Sequence, residues 1–208
     1  MRRLTERSLR TAARELGARD PALGGSLALY GPPPLWAREP SFATLTHLIL
    51  EQQVSLASAR AAFDRLAAAI DVVQPEAFLG LDDEQLRAIG FSRQKAGYAR
   101  ALASALSNGF DLAALDRLGD DDVRMALTAH KGIGRWTADI YLTMCLLRPD
   151  VWPRGDLALV TSARDLFELD HRPTAAELDE MAERWHPFRA VAARMLWHDY
   201  LRRRGLPV

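Results

Sequence analysis

Residues 130–142 read HKGIGRWTADIYL, and this stretch decides how the rest of the chain is interpreted. Gly132 and Gly134 bracket one apolar residue, Ile133, between two segments with helical periodicity. The glycines permit a tight, partly left-handed turn, and Ile133 can insert into the core. The next helix then begins with free backbone N–H groups, which form a ready phosphate site. Because Gly-x-Gly alone is a weak motif, an ordinary corner between two helices is the alternative.

Helical periodicity continues on both sides of this hairpin, and no alternating strand, repeat or low-complexity tract interrupts it. Serines precede several apolar runs as candidate N-caps, and two S/T/D-x-x-E/Q pairs match capping boxes. The proline-rich residues 31–40 predict an extended linker. The sequence therefore predicts an all-α fold. We expect a first helix ending at Gly17 and others near 41–51, 55–70, 82–90, 92–107, 120–129, 134–147, 160–168, 174–185 and 187–203.

The composition is that of an ordinary globular protein, with 49% hydrophobic and 26% charged residues among 208. The 27 basic and 27 acidic residues balance, so net charge does not indicate a nucleic-acid partner. Only Lys95 and Lys131 are lysines; the excess of arginine reflects either a GC-rich coding bias or a preference for bidentate phosphate contacts. The single cysteine, Cys145, excludes an intrachain disulfide and any four-cysteine zinc or iron–sulfur site. We expect no membrane span and no signal peptide, and a reducing cytosol as the compartment.

A carboxylate follows the hairpin helix in the segment RPDVWPRGDLAL, residues 148–159. Asp156 lies there in a loop rich in proline and glycine, directly before the next predicted helix. An aspartate at such a place usually caps the helix. It can also be a carboxylate held over a reaction centre, so both interpretations stay open.

Together, KGIGRWTADIYL and VWPRGDLAL resemble the helix-hairpin-helix DNA glycosylase superfamily, with its hairpin, Gly/Pro-rich segment and closing aspartate. The closest resemblance within it is to alkylbase glycosylases of the AlkA (3-methyladenine DNA glycosylase II) type. Three further segments agree in the same order, from about residue 40 to residue 203: FATLTHLILEQQVSLASA (42–59), LRAIGFSRQKAGYARALASAL (86–106) and AERWHPFRAVAARMLWHDYL (182–201). His130-Lys131 departs from the usual Leu-Pro before the hairpin; Lys131 adds a phosphate contact or is simply solvated.

The resemblance implies a single glycosylase unit over residues 1–208, in the compact form without an N-terminal α/β domain. It would have two helical lobes with the active site in the cleft between them. Lobe one would cover about residues 41–125, and lobe two about 126–208 together with the N-terminal helix.

The resemblance also implies roles for individual residues. Asp156 is the expected catalytic residue, whereas Asp139 and Asp150 are expected to be solvated. The base pocket would be lined by two indole rings, which suit a cationic base, and by a glutamine; these are Trp136, Trp197 and Gln53. Core packing is the alternative for the tryptophans, and a helix-end hydrogen bond for Gln53; Trp36 either closes the pocket or covers the core. The expected contacts to the DNA backbone are Gly132, Ile133, Gly134, Arg135 and Thr137.

The chemistry follows from the same residue types. A base inside a duplex must be flipped out before an enzyme can reach it, and cleavage of its N-glycosidic bond develops positive charge on the deoxyribose. A carboxylate stabilises that charge, and an alkylated purine, already cationic, leaves without the second acid that sugar hydrolysis usually needs. Relatives that also cut the strand have a lysine where this chain has Trp136. The resemblance therefore implies a monofunctional hydrolase with water as the nucleophile.

Two further features are implied by the family. The loop before the Ser-x-x-Lys helix would enter the minor groove as a wedge, with Phe91, Ser92 and Arg93 as candidates; an arginine at position 93 departs from the apolar residue of some relatives. A structural monovalent cation would bind the backbone carbonyls of Thr128, His130 and Ile133. We expect no catalytic cofactor and no iron–sulfur cluster.

The expected activity is removal of alkylated purines such as 3-methyladenine and 7-methylguanine from damaged double-stranded DNA, by a monomer in the bacterial cytosol or nucleoid. Three alternatives stay open: a glycosylase for deaminated or oxidised bases, a non-catalytic helix-hairpin-helix DNA-binding module, and a helical protein unrelated to DNA. Asp156 argues against a binding module, since a carboxylate near phosphates does not help binding.

Overall fold

A computed structural model of the chain describes residues 3–208. Within these residues the regular structure is entirely helical, which confirms the all-α fold class. A 3₁₀ turn at Ala114–Arg117 lies between the helix that ends at Ser107 and the helix that begins at Asp120. The twelve α-helices are α1 Glu6–Arg19, α2 Pro21–Tyr30, α3 Phe42–Glu51, α4 Leu56–Ile70, α5 Pro75–Leu79, α6 Asp83–Ile89, α7 Arg93–Ser107, α8 Asp120–Thr128, α9 Arg135–Met144, α10 Leu157–Leu166, α11 Ala175–Glu183 and α12 Arg189–Arg203.

The predicted helix starts are mostly confirmed, because a cap is a local hydrogen bond that the sequence specifies directly. Ser41, Ser55 and Ser92 each accept the backbone N–H three residues on, at the starts of α3, α4 and α7. Both capping boxes form, at the starts of α6 and α11. The helix predicted near residues 120–129 begins at Asp120 and is preceded by Gly119 at the N-cap position.

Two short elements and one longer helix were not predicted. Helix α2 follows α1 after Asp20 alone, and Gly17 lies inside α1 instead of ending it. Gly17 serves the packing of these two helices: a Cβ added to Gly24 of α2 would lie 2.5 Å from the Gly17 carbonyl oxygen. Helix α5 and the 3₁₀ turn were also missed, and α12 begins two residues after Pro187.

Two compact units account for the described chain. Unit 1 comprises the residues up to Ala37 together with Leu142–Val208, and unit 2 comprises Arg38–Tyr141. Each has its own buried leucine-rich core. The observed division at residues 141 and 142 differs from the predicted one near 125. The reason is that side chains in the first half of α9 form hydrogen bonds with Arg124 of α8 and with Gln52, which follows α3.

A buried cation organises unit 1. The guanidinium of Arg194, on α12, has no exposed surface and donates to the carbonyls of Leu35, Thr143 and Ala190 at 3.0, 2.6 and 3.0 Å. Burial lowers the pKa of Arg194 to about 10, so it is still charged at neutral pH. The linker that carries Trp36 is therefore fastened to α12. Among the described residues no helix is both long and apolar enough to cross a membrane.

Candidate active site and DNA-backbone site

Asp156 is the N-cap of α10. Its Oδ1 accepts the backbone N–H groups of Ala158 and Leu159 at 2.9 and 3.0 Å, and the residue is only 9% exposed. The preceding Gly155 has a φ of 80°, a left-handed conformation that places the carboxylate at the helix start. The interpretation of Asp156 as a helix cap is thus confirmed. The cap also fixes the carboxylate at the positive end of a helix dipole, which stabilises its negative charge.

Trp197, on α12, contacts this carboxylate directly. Its indole Nε1 donates to Asp156 Oδ1 across 3.2 Å, and the side chain is largely buried. Trp197 is therefore a buried residue that also contacts the predicted catalytic carboxylate. The hydrogen bond joins a predicted pocket residue to the predicted catalytic residue within unit 1.

Trp36 lies beside Trp197. The ring centroids are 6.5 Å apart at an interplanar angle of 70°, and a similar edge contact joins Trp36 to His198. Trp36 is half-buried and has a φ of 46°, which is a genuine outlier for so large a residue. Strain of this kind persists where the surroundings fix it, and Arg194 fixes the carbonyl of the preceding Leu35. The structure thus places Trp36 against the aromatic partner of Asp156.

The hairpin turn connects α8 to α9 in unit 2. Gly132 has a φ of 92°, and a Cβ there would overlap the ring of Tyr98. Ile133 is 3% exposed and inserts into the core as predicted, whereas Gly134 is exposed, with no atom within 4 Å of an added Cβ. The fold therefore requires a glycine at position 132. At position 134 nothing in unit 2 requires one, so the open space is available to a partner.

The other predicted backbone contacts differ in exposure. The Nε of Arg135 lies 3.5 Å from Asp139 Oδ2. Because Arg135 is exposed, its guanidinium can also reach a partner. Thr137 is 1% exposed, and its Oγ1 accepts a hydrogen bond from Gln52 Nε2 at 3.1 Å. A direct contact between Thr137 and DNA is therefore not supported; this residue stabilises the turn from within. Trp136 is half-buried in the first turn of α9.

The two adjacent glutamines differ in their surroundings, and the hydrogen bond to the hairpin is made by Gln52 and not by Gln53, the predicted pocket residue. Gln53 is exposed, with a φ of 59°, whereas Gln52 is half-buried and bonded to the hairpin. Helix α3 ends at Glu51, and Gln52 is already extended. The sequence does not show which way a chain turns after a helix end, so the Gln-Gln pair was the only available signal.

The three wedge candidates lie in very different surroundings. Phe91 is 4% exposed and packs edge-on against Phe78, with centroids 5.5 Å apart, so it belongs to the core of unit 2. Ser92 caps α7. Arg93 is exposed and lines a surface cavity of about 580 Å³ that also carries Arg87. Burial excludes Phe91 as a wedge and leaves Ser92 and Arg93, which are both exposed; Arg93 has the longer side chain.

The two aspartates that were expected to be solvated are not. Asp139 has a fully buried side chain, and its Oδ1 lies 2.7 Å from Nε of Arg124. Asp150 is about one-fifth exposed and accepts hydrogen bonds from Arg189 and His186. Arg124 is 15 residues from Asp139 and Arg189 is 39 residues from Asp150, so these two pairings cannot be read from local spacing; only Arg135, four residues before Asp139, is a local neighbour. Both carboxylates are held in ion pairs, so neither is a candidate catalytic group.

The family of this chain is identified by its match to a protein-family model. Residues 46–187 match the model described as HhH-GPD superfamily base excision DNA repair protein, and the match includes the hairpin and Asp156. The chain belongs to the HhH-GPD superfamily.

Individual HhH-GPD proteins are similar over most of the chain. DNA-3-methyladenine glycosylase 1 of Schizosaccharomyces pombe is 32% identical over 81% of this chain and 76% of its own length. The structure of S. pombe 3-methyladenine DNA glycosylase (Mag1) in complex with abasic DNA has a TM-score of 0.84 at 30% identity. It covers 90% of this chain and 95% of that one. A DNA-3-methyladenine glycosidase from Bacillus halodurans has a TM-score of 0.73 at 29% identity, with coverages of 96% and 93%.

Proposed function

We propose that this protein is a monofunctional DNA glycosylase. It hydrolyses the N-glycosidic bond of alkylated purines, of the 3-methyladenine and 7-methylguanine type, after they flip out of duplex DNA, and so starts base excision repair. The observation that carries the proposal is the carboxylate of Asp156, fixed by a helix N-terminus and by Trp197. Its relatives in the HhH-GPD superfamily, named as 3-methyladenine glycosylases, support the substrate class.

The proposed reaction needs only one carboxylate. The C1′–N bond breaks, the base leaves with the bonding electrons, and the deoxyribose becomes cationic. Asp156 stabilises this cation and orients a water molecule, whose oxygen bonds to C1′ and whose proton is lost to solvent. An alkylated purine is positively charged before cleavage and leaves as a neutral base, so no second acid is required. The indole face of Trp197 attracts a cationic base in the same place.

Duplex DNA is bound through its backbone in this proposal. The exposed Gly134 and the first amides of α9 form the phosphate site, and exposed arginines such as Arg135 add charge. Contacts of this kind position the enzyme without reading sequence. They also make affinity fall as salt rises, despite a net charge of zero, because each phosphate contact releases counterions.

Two exposed side chains are suited to enter the minor groove. Arg93 precedes Lys95 on α7, and Gln53 follows Gln52 after α3; Lys95 joins the two segments by a hydrogen bond to the Gln52 carbonyl. Gln53 has the strained, left-handed backbone often found at functional positions. We propose that one of these two fills the gap left by the flipped base.

A structural monovalent cation is also proposed at the hairpin. The carbonyls of Thr128 and His130 are neutral oxygen ligands at and just after the end of α8, where helix carbonyls lack intrahelical partners, and Ile133 lies in the turn that follows. The His130 carbonyl accepts the Ile133 N–H at 3.1 Å and retains a second lone pair, so these residues fit such an ion. It would bridge the turn to phosphate. We also propose that the protein is a monomer and that it works in a reducing cytosol.

The decisive experiment is base release. Duplex DNA treated with a methylating agent is incubated with the protein, and the released bases are identified by chromatography. Release of 3-methyladenine or 7-methylguanine is expected. Release of only hypoxanthine, uracil or oxidised bases from matched oligonucleotides would reassign the substrate, and DNA binding with no release of any base would indicate a non-catalytic module.

A further inference from the structure

Lys95 holds the end of α3 in place. Its ammonium donates to the carbonyls of Leu50 and Gln52 at 2.7 and 2.8 Å. A cation at a helix C-terminus also interacts favourably with the helix dipole. Partial burial lowers the pKa of Lys95, and the carbonyl oxygens replace the water that burial removes. The backbone of Gln52 is thereby fixed in unit 2.

The side chain of Gln52 extends from this fixed point to the hairpin. Its Nε2 donates to the Gly132 carbonyl at 2.9 Å and to Thr137 Oγ1 at 3.1 Å. An amide nitrogen has two hydrogens, and the two bonds use both. A carbonyl oxygen can only accept, so the orientation of the amide is determined. One side chain thus joins the turn to the first turn of α9.

The bond to Gly132 fixes a whole peptide plane. The Gly132 carbonyl and the Ile133 N–H belong to one planar group and point in opposite directions. Gln52 holds the carbonyl, and the Ile133 N–H donates to the His130 carbonyl at 3.1 Å. The next amides, of Gly134 and Arg135, open α9 and lack intrahelical acceptors. Their direction depends on the plane that precedes them.

We infer that Gln52, held by Lys95, is a positioning residue that orients the Gly134 and Arg135 amides toward the DNA backbone. The inference rests on the proposed DNA binding. It does not depend on which base is removed. Gln52 lies in unit 2, whereas the proposed catalytic Asp156 lies in unit 1. Loss of its amide should therefore weaken DNA binding and leave the chemical step unchanged.

The test compares Gln52→Met with a matched control. Methionine has nearly the same shape and no donor, and Gln74→Met makes the same replacement at an exposed glutamine whose side chain makes no capping bond. Affinity for duplex DNA with an abasic-site analogue is measured by fluorescence anisotropy, and base release under single-turnover conditions with saturating protein. For Gln52→Met we expect the Kd to rise about tenfold, because one or two hydrogen bonds are lost. The release rate should stay within about twofold of wild type. Gln74→Met should match wild type in both.

An unchanged Kd for Gln52→Met overturns the inference, and so does an equal loss in Kd and in release rate at saturation. If Gln52→Met fails to fold, Thr137→Val and Thr137→Ser test the second of the two Gln52 bonds, the one to α9, since serine retains the hydroxyl acceptor. The valine variant should bind several-fold more weakly than the serine variant, and equal binding by the two contradicts the inference. Wild-type protein that binds abasic DNA but releases no alkylated purine would refute the proposed function and leave this result standing.

Discussion

Trp197 and Asp156 are joined by a hydrogen bond from the indole Nε1 to Oδ1 across 3.2 Å. The same oxygen accepts the two N–H groups at the start of α10. Three donors therefore orient one carboxylate, and one of them belongs to a ring that we propose contacts the substrate base. A change at Trp197 acts on both the pocket and the carboxylate, and the two effects can be separated by the choice of substitution.

Replacement of Asp156 with Asn should remove base release and preserve the fold. The amide oxygen can still cap α10, but a neutral group cannot stabilise a cationic sugar. We expect single-turnover release to fall at least about a hundredfold, with a melting temperature close to wild type and intact binding to an abasic-site analogue. Asp156→Ala is the control for the cap and should cost about 1 kcal/mol of stability. Near-normal release by Asp156→Asn would refute the assignment.

Replacement of Trp197 with Leu keeps apolar bulk and removes the π-face. Cation–π attraction is worth about 0.5–2 kcal/mol, so excision of 7-methylguanine should fall by up to about one and a half decades more than excision of hypoxanthine. Trp197→Phe keeps a π-face and removes the N–H bond to Asp156, and it should slow both substrates alike. Equal losses for both substrates in Trp197→Leu would show that the ring only packs.

The two hairpin glycines should respond differently to alanine. At Gly132 the left-handed backbone and the Tyr98 ring both oppose a Cβ, so Gly132→Ala should destabilise the protein by more than about 1 kcal/mol. At Gly134 the space is open, so Gly134→Ala should melt like wild type but bind all DNA sequences more weakly. Thermal unfolding and anisotropy with two unrelated duplexes check both expectations. Selective loss on one sequence would argue against a backbone contact.

The enzyme should form no borohydride-trappable covalent complex with DNA. Trp136 stands where lyase-type relatives have a lysine, and a water nucleophile leaves nothing to reduce. Incubation with abasic DNA and borohydride, followed by denaturing electrophoresis, is the measurement. A trapped adduct that disappears in Lys131→Arg would mean that the exposed amine of the turn reaches C1′.

Stability should fall as the pH drops below about 6.5. Burial, assisted by Arg202, lowers the pKa of His198 from the usual 6.5, against the opposing effects of Asp199 and the Gly31 carbonyl. The unfolded chain then binds a proton at a pH where the folded chain does not, so protonation favours unfolding in that range. Melting curves between about pH 7.5 and about pH 5 should show this slope, and His198→Gln should make it shallower. An unchanged slope would mean that His198 does not contribute.

Sequence alone predicted most helix starts, since Ser41, Ser55 and Ser92 act through hydrogen bonds to residues three positions away. It failed where the deciding partner is distant in the chain. Gly17 marks a close approach to Gly24, not a helix end, although Asp20-Pro21 is a start signal that was available for α2.

The residues of the candidate site also fall into two groups, those placed by local sequence and those placed by tertiary packing. The role of Asp156 as a cap and the insertion of Ile133 follow from local spacing, and both are observed. The burial of Phe91 depends on packing against Phe78, and that of Asp139 on its ion pair with Arg124. Which glutamine bonds the hairpin depends on the path of the chain after α3. These contacts are determined by tertiary packing, so no single segment of the sequence predicts them.

Unit 1 is assembled from two stretches of chain with all of residues 38–141 between them. Arg194 fastens these stretches by its bonds to Leu35 and Thr143, the task that a disulfide performs in many secreted proteins. With a single cysteine the chain has no such covalent option. A guanidinium link is indifferent to oxidants and reductants, and with a pKa of about 10 it keeps its charge throughout the physiological range. The half of the protein that holds Asp156 is thus cross-linked in a way that redox stress does not undo.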